Sequence, residues 1–311
     1  MKIVCVEPLG ISELQFKELQ KKFETMGHSL DYYMDRNEEE EALTKRMKDS
    51  DIAIISNIKL TANVLKECAK LKMLSVAFTG LDHIDLAYCK EHNIEVRNAA
   101  GYSTTAVSEL AVGLMIDVMR KITELDGATR DSKGRGTFLG RELRGKTVGI
   151  IGTGAIGLAT MRLLKAFGCN LLAYSRSQKD EALSMGATYC TLEELMTKSD
   201  IVSVHVPLNG ETHHLVSNEM LGLMKPTAIL INTARGNVVD LDALAMALKE
   251  KKIAGAATDV YEKEPPLAKE HPLLSAPNMV AVPHIGYATR EAFDIRADIV
   301  FNNVIDFINR Q

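Results

Sequence analysis

Apolar positions along this chain fall into short runs that alternate with amphipathic stretches, and the alternation occurs in two series. In the first series, runs at 3–6, 30–33, 52–55, 74–78 and 94–96 have the length and side-chain character of buried strands, while 12–26, 38–48 and 61–69 carry apolar residues at helical spacing. Strands and helices in that order imply a parallel sheet with helices on both faces. At 98–103 the series stops in small residues, and 104–125, rich in Ala, Val, Leu and Met, reads as one long helix. The segment 126–145 is rich in glycine and charge and reads as a surface loop. A second series follows at 148–151, 170–174, 201–206, 228–232, 254–258 and 279–282, with helices near 192–197 and 240–251. The final stretch, 288–308, places Phe293, Ile299, Val300, Val304, Ile305 and Ile308 at helical spacing and is expected to pack back on the first domain. The expected organisation is α/β, two doubly wound parallel-sheet domains: residues 1–98 with 285–311, and 99–284 inserted between them.

The second series opens on a strand that runs into glycines, Thr147-Val-Gly-Ile-Ile-Gly-Thr-Gly-Ala-Ile-Gly157. Gly152, Gly154 and Gly157 form G-x-G-x-x-G between a strand and a helix, the context in which the pattern marks a dinucleotide site. The first glycine permits a tight turn, the second lets the backbone approach a pyrophosphate, and the third lets helix pack against strand. Ala155 and Ile156, the first helical residues, then aim free N–H groups and the positive end of the helix dipole at the phosphates. This inserted domain is therefore expected to be a Rossmann domain, and the flanking one a flavodoxin-like substrate domain.

Cofactor choice is read at the tip of the next strand. An acidic residue about 20 positions beyond the glycines usually accepts hydrogen bonds from the adenosine ribose. Here the tip is Ser175-Arg176-Ser177. Hydroxyls beside a guanidinium suit a 2′-phosphate, so NADP(H) is expected ahead of NAD(H), which remains possible.

Composition narrows the function classes. With 311 residues, 46% apolar and 25% charged, the chain is an ordinary globular protein long enough for two domains. A net charge of −4 gives no bulk attraction for nucleic acid or an anionic membrane. Cys5, Cys68, Cys89, Cys169 and Cys190 are scattered without C-x-x-C pairs, and no leader-like or membrane-length apolar run occurs, so a cytoplasmic location is expected. The acidic run 38–41 reads as a solvated first helical turn. His83, His92, His213 and His214 lack accompanying Cys or carboxylate clusters, so no metal is expected.

Three polar residues follow later strands, at the sheet end where open parallel sheets bind ligands. Arg235 lies in Asn232-Thr-Ala-Arg-Gly236, Glu264 in Asp259-Val-Tyr-Glu-Lys-Glu264, and His284 in Pro283-His-Ile-Gly286. A forked guanidinium suits a carboxylate, and an imidazole beside a carboxylate suits proton transfer near neutral pH. With the glycine cluster, His205-Val-Pro-Leu208, Thr212, Asp259, Thr79-Gly-Leu-Asp-His-Ile-Asp85 and Asn98-Ala-Ala-Gly-Tyr-Ser-Thr104, these segments resemble the D-isomer-specific 2-hydroxyacid dehydrogenase family over nearly the whole chain.

The resemblance implies that Arg235 binds substrate, that His284 is the acid/base, and that Glu264 pairs with His284. It further implies that N–H groups around Thr79, Gly80 and Leu81 hold the substrate carboxylate, and that Thr104, His205, Pro207, Thr212, Thr233, Ala234, Asp259 and Gly286 line the cofactor. Tyr102 and Tyr287 neighbour these motifs and are candidate contacts for the substrate side chain. The Ser-Arg-Ser tip is similar to NADP-preferring members, including hydroxypyruvate reductases. A homodimer with a small 2-keto or 2-hydroxy acid as ligand is expected. Two other readings share the fold: hydride transfer from phosphonate or formate, with Glu264 against the formate type, and a cofactor-sensing regulatory protein.

Overall fold

The computed structural model describes residues 1–263 and 266–311. They divide into two compact units, Met1–Ser103 with Ala288–Gln311, and Thr104–Tyr287.

The first unit alternates β1 (Lys2–Cys5), α1 (Glu13–Thr25), β2 (Ser29–Tyr32), α2 (Glu40–Met47), β3 (Ile52–Ile55), α3 (Ala62–Lys66), β4 (Met73–Val76), α4 (Leu86–Glu91) and β5 (Glu95–Asn98). Its five strands are parallel in the order β2-β1-β3-β4-β5, the flavodoxin-like arrangement. Every residue of β3 and β4 is buried, because helices cover both faces. A reciprocal cap starts α1: Ser12 Oγ accepts from Gln15 N, and Gln15 Oε1 accepts from Ser12 N. Glu40 and Glu41 occupy the first turn of α2, and Glu38, ahead of it, pairs with Arg36 at 2.7 Å. The C-terminal helix, Arg290–Ile308, is capped by Thr289 and buries Val300, Phe301, Val304 and Phe307, each worth about 1.5–3 kcal/mol of burial. Ser75 Oγ donates to Val300 O at 3.0 Å, which ties this helix to β4.

The second unit holds α5 (Thr104–Arg120), α6 (Ile122–Arg130), β6 (Thr147–Ile151), α7 (Ala155–Ala166), β7 (Asn170–Tyr174), α8 (Asp180–Ser184), β8 (Thr188–Tyr189), α9 (Leu192–Lys198), β9 (Ile201–Val204), α10 (Asn218–Gly222), β10 (Ile229–Asn232), α11 (Leu241–Lys249), β11 (Gly255–Thr258) and β12 (Met279–Ala281). Its seven parallel strands run β8-β7-β6-β9-β10-β11-β12, the doubly wound order in which the chain reverses direction between β6 and β9. Neighbouring strand residues serve opposite faces. Ile150, Ile229 and Ile231 pack with Val112, Met115 and Val118 of α5, whereas Ile151 and Leu230 pack with Leu195, Leu244 and Leu248. That two-sided burial explains the unbroken apolar runs in the sequence.

The single helix expected over 104–125 is two helices. Lys121 sits at φ 52°, and the Asp117 carboxylate accepts from Thr123 N at 2.9 Å and from Thr123 Oγ1 at 2.6 Å. The chain thereby starts a new helix at Ile122 that reaches Arg130, inside the segment expected to be loop. No residue of α6 is buried.

Candidate active site

The glycine cluster is built as its sequence implies. Gly152 has φ 101°, and a Cβ there would meet His205 O at 2.7 Å. A Cβ on Gly157 would overlap the Gly152 carbonyl oxygen, so only hydrogen lets α7 start this close to β6. Gly154 caps α7 without a side-chain hydrogen bond, and a Cβ there would point into open space. The turn thus leaves the N–H groups of Ala155 and Ile156 at an uncapped helix start, a seat for an anion. Thr233, at the carboxyl end of β10, has a buried hydroxyl with no protein partner among the described residues, the kind of group a bound ligand satisfies. These features fit a dinucleotide.

Around this cradle, β9 leads to His205, whose Nε2 lies 2.9 Å from the buried Ser203 Oγ. Loss of hydration pushes the His205 ring down to about 4, so it is neutral at physiological pH. Thr212 Oγ1 donates to Pro207 O at 2.6 Å and accepts from Asn209 N at 2.9 Å, closing the loop after β9. Ser175, Arg176 and Ser177 follow β7, with Arg176 and Ser177 exposed. The Arg176 guanidinium reaches Glu211 at 3.5 Å, but its side chain is 83% exposed and so only loosely held.

Register places the reacting candidates together. Asn232 pairs with Thr258 across β10 and β11, and Thr258 with Ala281 across β11 and β12. Arg235, Asp259 and His284 therefore all leave the same edge of adjacent parallel strands. Arg235 is held in its turn by the buried Asn232 amide, which donates to Arg235 O at 2.9 Å and accepts from Ala234 N at 3.1 Å. Gly236, next in line, approaches Tyr261 so closely that a Cβ would overlap its carbonyl.

His284 has φ 53°, a left-handed conformation that costs a non-glycine residue about 1–2 kcal/mol. Asp259 holds the turn that imposes it. Its carboxylate, 1% exposed, accepts from Ile285 N and from Gly286 N, both at 2.7 Å. Tyr261 adds a bond from its hydroxyl to Val282 O at 3.0 Å, and the Tyr287 ring meets the His284 ring edge-on at 5.3 Å. Asp259 and Gly286, read from sequence as cofactor contacts, are thus also partners in shaping the His284 turn. Asn232 stands in the sequence only as the first residue of the Arg235 motif, and Tyr261 shows no signal there because its bond to Val282 joins separate strand ends.

Asp259→Asn replaces one acceptor oxygen by a donor facing an N–H group, and a lost hydrogen bond to a charged group costs about 1.5–3 kcal/mol. A lower Tm with kcat reduced about tenfold (1.36 kcal/mol per decade of rate) is expected. Thermal denaturation and steady-state kinetics check this, and wild-type values in both would remove the assigned role.

Glu264 lies outside the described residues. Thr79, Gly80 and Leu81 form the turn after β4 in the first unit, where Asn98 Nδ2 donates to Thr79 O at 2.7 Å. Thr104 opens α5. Tyr102 is buried and its ring faces Arg296. Among the described residues no group of three His, Cys, Asp or Glu is placed to hold a metal ion. None of their helices is long and apolar enough to cross a membrane.

A doubly wound sheet with a glycine-lined turn at the start of α7 is the arrangement in which dinucleotides bind, and Arg235 and His284 leave the same end of that sheet. Residues 112–286 match the model of the D-isomer specific 2-hydroxyacid dehydrogenase NAD-binding domain. The glyoxylate reductase of Thermococcus litoralis is 41% identical over 84% of this chain and 81% of its own. Among solved structures, an acyclic imino acid reductase in complex with NADPH and D-Arg superposes with a TM-score of 0.89 at 30% identity, covering 100% of this chain and 98% of that one. The D-lactate dehydrogenase of Aquifex aeolicus, complexed with NAD and lactic acid, gives 0.84 at 29% identity over 99% and 96%. This chain belongs to the D-isomer-specific 2-hydroxyacid dehydrogenase family. Its reaction is hydride transfer between a nicotinamide cofactor and a 2-keto or 2-hydroxy acid.

Proposed function

We propose that this chain is an NADPH-preferring reductase of small 2-keto acids, glyoxylate and hydroxypyruvate foremost, acting in the cytoplasm as a homodimer. The observation that carries the reading is the alignment of Arg235, Asp259 and His284 on one strand edge of the unit that holds the glycine cradle. The glyoxylate reductase names of its relatives support the substrate.

A nicotinamide cofactor held by the glycine cradle would supply hydride to the carbonyl carbon. Arg235 offers a planar pair of N–H donors to the substrate carboxylate and carbonyl oxygen, drawing electron density from the carbon that is attacked. In the first unit, the backbone N–H groups of Thr79, Gly80 and Leu81 are the candidates for holding a substrate carboxylate. His284 gives a proton to the new alkoxide, and Glu264 favours the charged imidazole that can do so. Gly152, Gly154, Ala155, Ile156 and Gly157 seat the pyrophosphate. Thr104, His205, Pro207, Thr212, Thr233, Ala234, Asp259 and Gly286 line the remainder.

For the cofactor, Ser175, Arg176 and Ser177 carry no carboxylate of their own to repel a 2′-phosphate, and among the described residues the guanidinium meets only the exposed Glu211, at 3.5 Å. Removing a charge-assisted bond of about 1.5–3 kcal/mol at an exposed site should change discrimination about tenfold. Arg176→Ala is therefore expected to lower the NADPH over NADH ratio of kcat/KM by that factor, chiefly through NADPH affinity. An unchanged ratio would remove the assignment. The substrate is tested with glyoxylate, hydroxypyruvate, pyruvate and larger branched or aromatic 2-keto acids, followed by nicotinamide absorbance. The smallest acids should lead, and inertness of all of them with saturable cofactor binding would favour a cofactor-sensing protein.

A further inference from the structure

The first unit contains a buried cation that the reaction as described does not use. Arg296, on the C-terminal helix, is 3% exposed. Its guanidinium donates to Leu9 O at 2.6 Å beyond β1, to Ser56 Oγ at 3.4 Å beyond β3, and to Ala77 O at 3.5 Å beyond β4. Three strand ends meet at one side chain. Its Nε is buried with no hydrogen-bond partner among the described residues, and the Phe293 ring lies 4.2 Å from the guanidinium. Phe293 in turn occupies the space that a Cβ on Gly10 would enter, so the loop after β1 closes directly over this helix. The nearby Glu7 carboxylate accepts from Ser56 N at 2.7 Å, Ile58 N at 3.2 Å and Arg36 at 2.7 Å, and the Arg296 charge also acts on it.

Removing the guanidinium alone would leave the Leu9 and Ala77 carbonyls and the Ser56 hydroxyl without the donor they share, and each buried group left unsatisfied is destabilising. Two residues beyond Ala77 begins the turn Thr79, Gly80, Leu81. We propose that Arg296 is a positioning residue that fixes the carboxyl ends of β1, β3 and β4 and so presents the N–H groups of that turn to the substrate carboxylate. Its positive charge beneath the turn adds to the attraction for an anion. The inference rests on the carboxylate role proposed for the turn. Because the carboxylate is held alike before and during reaction, the loss is a binding loss and falls on KM rather than kcat.

The test compares wild type, Arg296→Met and Arg296→Lys. In Arg296→Met, KM for the best 2-keto acid is expected to rise about tenfold with kcat within about threefold and cofactor affinity unchanged, with partial recovery in Arg296→Lys. Hydrogen exchange reads the positioning without turnover. The amides of Ala77, bonded to Ile55 O, and Ala99, bonded to Phe78 O, should exchange faster in Arg296→Met while those within β3 do not change. Unchanged exchange at both positions overturns the proposal, as does an active Arg296→Met enzyme with wild-type KM. A wild type inert towards every keto acid would instead sink the substrate reading, leaving the exchange comparison to decide whether Arg296 holds the strand ends.

Discussion

Arg235→Ala is expected to lower kcat/KM for a 2-keto acid about 10³-fold while leaving cofactor affinity within about twofold. Two hydrogen bonds from a charged donor, at about 1.5–3 kcal/mol each, sum to roughly the 4 kcal/mol that three decades require. The turn should survive the change although the guanidinium donates to Ala234 O at 2.8 Å, since Asn232 also holds it through the backbone of Ala234 and Arg235. Lysine is a poor substitute, because a point charge cannot bridge carboxylate and carbonyl as a fork does. Arg235→Lys should therefore stay within about tenfold of the alanine variant. Initial rates over a range of substrate concentration, with cofactor binding measured separately, check both statements.

His284→Asn is expected to lower kcat for reduction about 10³-fold, within the range contributed by a positioned general acid. Asparagine is the informative replacement. It tolerates the left-handed backbone seen at φ 53° and leaves the Asp259 bonds to Ile285 and Gly286 in place, so the imidazole alone is removed. Alanine would add strain to the loss of the proton donor. An Asn variant that binds cofactor normally and turns over at less than a thousandth of the wild-type rate separates chemistry from folding. Retention of a tenth or more of wild-type kcat would assign the proton to another group.

Much of the fold is legible in the sequence because parallel strands buried on both faces leave continuous apolar runs, as at Ile52, Ile54 and Ile55 or at Ile150 and Ile151. The phosphate turn is legible for a different reason: Gly152 and Gly157 stand where backbone geometry admits no side chain. What escapes is local or long-range. Lys121 carries no breaker signature, and its left-handed turn is made by Asp117 reaching Thr123. Helix α8 and strand β8 are too short for any period to show.

At the proposed site, the candidates for reaction announce themselves by residue type, whereas those that hold their turns in place do not. Asp259 reads as a cofactor contact until the fold brings the amides of Ile285 and Gly286 to its two oxygens. Arg296 sits among apolar positions of a terminal helix, and nothing in its neighbours along the chain reveals that three strand ends converge on it.

The most direct measurement follows reduced cofactor consumed and hydroxy acid formed in wild type and in the Arg235→Ala, His284→Asn double variant, both saturated with cofactor. Wild type should form one hydroxy acid per cofactor oxidised, and the double variant should bind cofactor normally with a rate at least about 10³-fold lower, since either loss alone removes about that much. A double variant that binds cofactor and reduces the keto acid within tenfold of wild type would contradict the account.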